Sequence, residues 1–512
     1  MKTAFRTSII ILILFTFTGL SFASGDTVSR EEFMKVINEL KTQREQDSNT
    51  INKLSEEIET LKNTKKTTVD NSDIGVLKED VEELSELMME IEKKTLLDRV
   101  KVTGDLRTRM DWFDYKDDST GHEEEVHALG STRFRLLLKS DITENLKFTG
   151  RLAMHKNWND SNYALGSSSF SRSRARTDED LKVERAYVDY FFSLHEKLPM
   201  ALTFGRLPNT DGLPTNLHED TPRRSTFPGL AYDNEGDGVA LSLNLDKLTG
   251  LPGSALRLLY LRTNVDNSGD DDTIGGTAND DIYLNNENHF KDAQSFIAQL
   301  ETGFPGRLSG TTFMLNFLML NPFTNVDPQQ FEDAGLSSPT NLPNQLGDIW
   351  KLTAYIQSER FLGSNFDWFA GFAYMRTDAE KFSVYSIGTS PILTVGLNTE
   401  KKRKLSAQAF HVGMRYRIPW EIMNNAKIGI EYNRGSKYWQ GFNGSSEDPL
   451  NKLNTNGNVW DVYYIQPINK HLMLRFGHTM VRNHYNNVPI FAPDRVDEKI
   501  TNTYMLLDAK FY

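Results

Sequence analysis

The stretch Val100-Lys101-Val102-Thr103-Gly104-Asp105-Leu106-Arg107-Thr108-Arg109-Met110-Asp111-Trp112 alternates, residue by residue, between mostly apolar side chains and charged or polar ones. Successive side chains of a β-strand point to opposite faces, so this is one strand with an oily face and an ionised face. The same period of two recurs at Phe134/Leu136/Leu138 against Arg133/Arg135/Lys139, and at Leu146/Phe148/Leu152/Met154 against Lys147/Thr149/Arg151/His155. It returns at Val239/Leu241/Leu243/Leu245, at Phe366/Trp368/Ala370/Phe372/Tyr374, and at Phe410/Val412/Met414/Tyr416 against His411/Gly413/Arg415/Arg417. Weaker segments near residues 183, 202, 256, 296, 313, 350, 428, 460, 472 and 505 bring the count to sixteen. An even number of segments roughly ten residues long is the pattern of a closed antiparallel transmembrane β-barrel.

A soluble sandwich also alternates, and connection lengths separate the two. The odd connections are long: Phe113 to Gly130, Asn157 to Asp180, Asn209 to Glu235, Val265 to Asp292, Asn321 to Gly347, Thr377 to Arg403, Gly435 to Asn456 and Asn483 to Ile500. The even ones are short, as at Thr143-Glu144-Asn145, Ser193 to Pro199 and Gln466 to Lys470. Long and short connections alternate when strands turn tightly on one side of a membrane and loop freely on the other. The second face carries Arg, Lys, Asp and Glu, which could not fill a dry core unpaired, whereas a water-filled lumen solvates them. Trp112, Tyr190, Phe192, Trp350, Tyr416 and Trp460 near segment ends suit interfacial girdles, or are ordinary strand aromatics.

Before the barrel, residues 1–23 read as a secretory signal: Lys2 and Arg6, an apolar stretch Ile9 to Phe17, then Ser21-Phe22-Ala23 as a small-x-small cleavage site. Residues 24–98 carry apolar residues at helical spacing, Ile51/Leu54/Ile58/Leu61 and then Ile74/Leu77/Val81/Leu84/Met88/Ile91. Two apolar positions in seven suit a coiled-coil seam, and an α-helical periplasmic stalk is expected. The alternative is one helix folded back on another. The seam predicts a homo-oligomer and leaves the copy number open: β-branched residues at several a positions with Leu at d favour two strands, an attached barrel could impose three, and a trimer is the working number. Residues 99–512 form the barrel.

Composition narrows the rest. The 512 residues include no Cys, which excludes a disulfide framework, a thiolate nucleophile and Cys-ligated metal sites. Formal charge is −12, which argues against a nucleic-acid partner. Beyond the leader, no run approaches the ~20 apolar residues a spanning helix needs. His122-Glu123-Glu124-Glu125-Val126-His127 spaces its histidines five apart, unlike the four-apart zinc pair of a helix face, and reads as a solvated loop. The acidic run from Asp266 to Asp281 lacks the spacing of a dedicated calcium loop. No nucleophile elbow and no phosphate-binding glycine loop is present, so no catalytic residue, metal or cofactor is assigned and no enzymatic activity is expected.

The last segment, Thr503-Tyr504-Met505-Leu506-Leu507-Asp508-Ala509-Lys510-Phe511-Tyr512, looks like the terminal recognition strand of outer-membrane proteins, although Tyr512 follows the Phe that such signals usually place last. The order of stalk, strand Val100 to Trp112, Glu184-Arg185-Ala186-Tyr187-Val188-Asp189-Tyr190 and Phe204-Gly205-Arg206 resembles the porins of Gram-negative bacteria with a helical N-terminal extension. The resemblance spans the whole chain in architecture, through short motifs. It implies an outer-membrane channel for passive diffusion of small hydrophilic solutes, with outer-membrane lipid around the barrel and the stalk in the periplasm.

By the alternation, Arg107, Arg109, Arg133, Arg135, Arg151, Arg185, Arg415, Arg417 and Arg475 line the lumen, which would make its field mildly anion-preferring. Equally, Arg–Asp pairs could simply brace neighbouring strands. The long connection 209–235 carries Asp211, His218, Glu219, Asp220, Arg223 and Arg224, and its position resembles the inward-folded constriction loop of sixteen-stranded porins. It is either that or an exposed loop. Two rival functions share the architecture: an envelope tether or adhesin whose stalk contacts peptidoglycan, and a barrel hydrolase.

Overall fold

The computed structural model describes Lys53 and residues 100–158, 181–264, 293–323, 346–380, 382–387, 390–399, 401–443, 447–487 and 492–511. The expected signal, the coiled-coil stalk apart from Lys53, and the acidic run from Asp266 lie outside the described residues.

The first strands are β1 (Val100–Asp117), β2 (His122–Asp141), β3 (Leu146–Asn157), β4 (Lys182–His195), β5 (Leu198–Arg206), β6 (Asp237–Asn244), β7 (Ala255–Asn264), β8 (Ala293–Gly303) and β9 (Thr311–Phe323). They are followed by β10 (Gly347–Ser358), β11 (Phe366–Ala379), β12 (Phe382–Ile387), β13 (Ser390–Val395), β14 (Arg403–Arg417), β15 (Lys427–Gly435), β16 (Gly457–Pro467), β17 (Leu472–Tyr485) and β18 (Arg495–Phe511). Strands β12 and β13 form a separate hairpin; the other sixteen make one closed barrel in which each strand pairs with its sequence neighbours in the ring. Closure is made by β1 and β18, antiparallel from Gly104↔Phe511 to Asp117↔Glu498. No edge is left to recruit another chain, and every ladder N–H and C=O can be met within the wall.

The alternation maps onto the two faces of this wall. On β10, Trp350 and Leu352 are 52% and 46% exposed, while Lys351 between them is 1% exposed. On β14, Met414 is 53% exposed and Arg415 2%. Tyr190 and Trp460 of the expected girdle also face outward and exposed. A cylinder with this much continuous apolar surface is not a water-facing object. Among the described residues no helix is long and apolar enough to cross a bilayer.

Two features depart from the sequence reading. The expected long connection Phe113 to Gly130 is mostly strand: β1 and β2 continue to Asp117↔His122 around a short turn, after a register shift between Asp111 and Phe113. Cross-strand pairs such as Lys116–Glu123, 2.6 Å apart, sustain the ladder on the outer face, which has become polar, while Phe113 and Tyr115 point inward and are buried with Leu450, Val459, Val481 and Ile500. The second departure is inside. The lumen is not lined only by charge, because Leu259, Leu261, Ile297, Leu318, Leu320, Ile349 and Met375 point inward from β7 to β11 and are buried. They pack against Leu207, Phe227, Leu230 and Tyr232 of the 207–236 connection and against Trp439. On this side the interior is thus a packed apolar core closed by inward-folded chain, which alternation along the other strands did not disclose.

Candidate functional site

The connection between β5 and β6 turns into the barrel. Its short helix α1 (Thr215–Glu219) ends where Asp220 adopts a left-handed conformation, φ 50°, and donates its N–H to the carbonyls of Asn216 and Leu217. Leu213 and Leu217 give the turn a greasy side, which packs on Met314, Tyr355 and Phe369 of β9, β10 and β11. The remaining sides are polar and reach the rest of the wall.

Towards β1–β4 the segment meets a bank of arginines. Asp211 lies 2.9 Å from Arg151, 3.2 Å from Arg135 and 3.7 Å from Arg185. Glu219 lies 2.6 Å from Arg107 and 3.9 Å from Arg133. Arg185 also donates to the carbonyls of Thr210 and Arg224, each at 2.6 Å. Arg224 folds back onto Glu219, 3.2 Å away. Wall carboxylates complete the bank, with Asp508 2.7 Å from Arg107, Glu184 2.5 Å from Arg151, and Asp105 2.5 Å from Arg133. Burial alone would raise the carboxyl pKa of Asp211 and of Glu219, but the arginines outweigh it and hold both well below the usual range.

Towards β14–β17 the same segment has a second set of anchors. Asp220 is 3.1 Å from Arg415 and 2.6 Å from Lys427, and Arg415 donates to the carbonyl of Leu217 at 2.7 Å. Arg415 and Arg417 share Asp367, at 2.7 and 2.9 Å. Arg475 donates to the carbonyl of His218 at 2.6 Å, and His218 is 3.2 Å from Asp461. Burial, then the nearby Arg475 and Lys452, push the His218 imidazole down, so it is neutral at pH 7. Arg109 pairs with Asp111 at 2.7 Å and lies 4.3 Å over the Tyr504 ring. That ring covers Gly477, where a Cβ would fall 2.2 Å from it, so only glycine lets the platform lie flat on the wall. Arg223 and Arg257 both bind Glu301, each at 2.5 Å.

All nine wall arginines singled out in the sequence therefore face the lumen, and all six residues of the long connection lie inside the barrel. Their common feature is pairing: the wall charges meet opposite charges or carbonyls of the crossing segment. What the sequence reading missed is further inward chain between β15 and β16, at residues 436–443 and 447–456. Trp439 is fully buried, Lys351 lies 4.6 Å over its ring and 4.5 Å over that of Phe442, and Lys351 donates to the Leu230 and Ala231 carbonyls at 3.3 and 3.1 Å. Asn443 donates to the Gly229 carbonyl at 2.8 Å, so the two segments interlock. Glu447 reaches Arg107, Arg133 and Arg135. The aromatic density of Tyr438-Trp439-Gln440-Gly441-Phe442, too high for a solvated loop, was the available signal.

Unfilled space survives on both sides of α1. One cavity, about 790 Å³ with its open mouth, lies towards the short turns between Asp220–Arg223 and Gln357, Arg415 and Arg417. A second, narrower one lies among Arg109, His218, Lys452, Arg475 and Tyr504, and a third among Arg133, His155 and Lys156. Among the described residues His155, Glu184 and Glu447 bring ligand atoms within 4.8 Å of one another. Arg135 contacts both of those carboxylates and Arg151 contacts Glu184, so the field there opposes a cation. The His122 and His127 side chains sit exposed on the β1–β2 hairpin beside Glu124 and Glu125.

Comparison with known proteins adds the following. A family described as "Protein of unknown function (DUF3373)" matches residues 123–509. No curated protein matches. Among solved structures, OprB of Pseudomonas putida is 14% identical with a TM-score of 0.46, over 82% of this chain and 96% of that one. The DcaP channel of Acinetobacter baumannii is 13% identical with a TM-score of 0.41, over 80% and 97%. An anion-selective porin from Comamonas acidovorans is 8% identical with a TM-score of 0.43, over 80% and 99%.

Proposed function

The chain belongs to the DUF3373 family, and we propose that it is an outer-membrane channel through which small hydrophilic solutes diffuse passively, with residues 207–236 as its constriction. The observation that carries this reading is a closed sixteen-strand cylinder whose outside is apolar and exposed while its inside holds paired charged groups and cavities on both sides of one crossing segment. Such a wall is what lipid outside and water inside require.

The crossing segment places acidic Asp211 and Glu219 against the basic bank of β1–β4, so a solute passing α1 meets both signs of charge at close range. That arrangement orders polar solutes and penalises apolar ones. Most cations of the lumen are matched by a carboxylate, which keeps selectivity weak. A mild anion preference is part of the proposal, supported by Arg223 and Arg257, which are partly exposed and share the single Glu301. Assembly as a homo-oligomer, with a trimer as the working number, and contact of the stalk with peptidoglycan complete the proposal.

Liposome swelling tests it. Vesicles containing the full chain should swell in isotonic solutions of small sugars, faster for pentoses than for disaccharides. A barrel that serves only as an anchor, sealed by its two inward segments, gives no swelling for any solute.

A further inference from the structure

One carboxylate in the arginine bank differs from the others in origin. Asp105, Glu184 and Asp508 belong to the wall, and Asp211 and Glu219 to the crossing segment, but Glu447 arrives from the connection between β15 and β16. It contacts three guanidinium groups at once, Arg107 at 3.3 Å together with Arg133 and Arg135. Among the described residues, with Glu447 included, the bank matches six guanidiniums, those of Arg107, Arg133, Arg135, Arg151, Arg185 and Arg224, to six carboxylates. Without it one positive charge is left over.

The same side chain is a partition. Glu447, Arg107 and Arg109 line both the cavity that holds Lys452 and Tyr504 and the one that holds His155 and Lys156. Withdrawing Glu447 would join the two along the arginine wall. The chain beyond it is a fixed point, because Asp448 accepts the backbone N–H groups of Leu450 and Lys452, each at 3.0 Å.

Building on the channel reading, we infer that the guanidinium pocket of Arg107, Arg133 and Arg135 is a binding site for the carboxylate group of a permeating solute, and that Glu447 occupies it as an internal stand-in. Guanidinium forks match the planar carboxylate geometry, and the leftover single positive charge fits a monoanion. A phosphate dianion would overshoot the balance. Because the stand-in holds the site most of the time, the apparent affinity of a free carboxylate is lowered by the fraction of chains in which Glu447 has withdrawn.

The test uses the full chain in detergent with acetate as the probe. In equilibrium dialysis with radiolabelled acetate, Glu447→Gln should bind about tenfold more tightly than the unchanged protein, as expected from removing an internal competitor. Inorganic phosphate should displace that acetate poorly. A second variant, Glu447→Ala, leaves room for the missing carboxylate, so acetate should raise its melting temperature while chloride at equal ionic strength does not. Equal acetate binding by the unchanged protein and Glu447→Gln, or no acetate rescue of Glu447→Ala, overturns the inference. Bilayer conductance keeps the two readings apart: a silent bilayer with acetate rescue intact sinks the channel and leaves the site, and a conducting bilayer without rescue does the reverse.

Discussion

Asparagine in place of Asp211 would remove one charge from the centre of the crossing segment without altering its shape. Asp211 has a positive φ of 62°, a conformation asparagine adopts as readily as aspartate, so the backbone is not strained by the change. The lost interaction is the carboxylate's contact with Arg151, Arg135 and Arg185 at 2.9, 3.2 and 3.7 Å, in a position 6% exposed. Removing one partner of a buried ionic contact costs about 3–5 kcal/mol. Since Glu219 and Asp220 still anchor α1, the lower end applies, and ~3 kcal/mol corresponds to a ~150-fold larger unseated population. Trypsin reads this directly, because Arg223 and Arg224 lie in the segment and cleavage of a transiently opened site tracks its open population. The variant should be nicked there roughly 100-fold faster than the parent while the barrel itself resists. A cleavage rate within about twofold of the parent would refute the idea that the arginine bank holds the segment in place.

Deleting residues 211–222 should raise single-channel conductance by removing α1 from between the two main cavities; an unchanged value would mean that the conducting path runs elsewhere. Acidification supplies a graded version. The depressed pKa values of Asp211 and Glu219 mean that their stabilisation is complete above the ordinary carboxylate range, at pH ~4–5, and is lost as pH falls below it. Conductance should stay flat from pH 8 to about 5 and change only in more acid solution, whereas a midpoint near neutrality would contradict the pairing. Replacing Arg223 and Arg257 by glutamine should move the reversal potential in a salt gradient towards cation preference, and no movement would remove them from the permeation path. Leu352→Arg, on the outward face, should destabilise the barrel in lipid by about 2–4 kcal/mol if it lies near the bilayer midplane, measured by urea unfolding from liposomes.

The barrel was legible because its signal is local. The alternation in Val100–Trp112 or Phe410–Arg417 sorts side chains between two solvents, and all sixteen barrel strands fall where the period of two placed them. The extension of β1 and β2 past Trp112 was not legible, because there the two faces exchange polarity: Phe113 and Tyr115 point inward and are buried while Asp114 and Lys116 stand exposed outside, the reverse of the pattern in Val100–Trp112. The inner core was missed for the converse reason. In Leu256-Arg257-Leu258-Leu259-Tyr260-Leu261 both faces are largely apolar, one for lipid and one for packed chain, and no periodicity tells them apart. The arginines were identifiable as inward-facing, but the separation to their partners runs from 2 residues, as for Arg109 with Asp111, to 401, as for Arg107 with Asp508. No spacing rule encodes such pairs. The inward position of Trp439 likewise involves a contact remote in sequence, with Lys351 lying 4.6 Å over its ring.

The central claim is that lipid wets the outward face of this cylinder. The chain has no cysteine, so single cysteines can be introduced without interference and spin-labelled in liposomes. Labels at Trp350, Leu352, Phe372, Val412 and Met414, all exposed and outward-facing, should be relaxed by membrane-dissolved oxygen and shielded from a water-soluble nickel chelate. If the nickel reagent reaches those five positions as readily as oxygen does, the oily face is not in a membrane and the account is wrong.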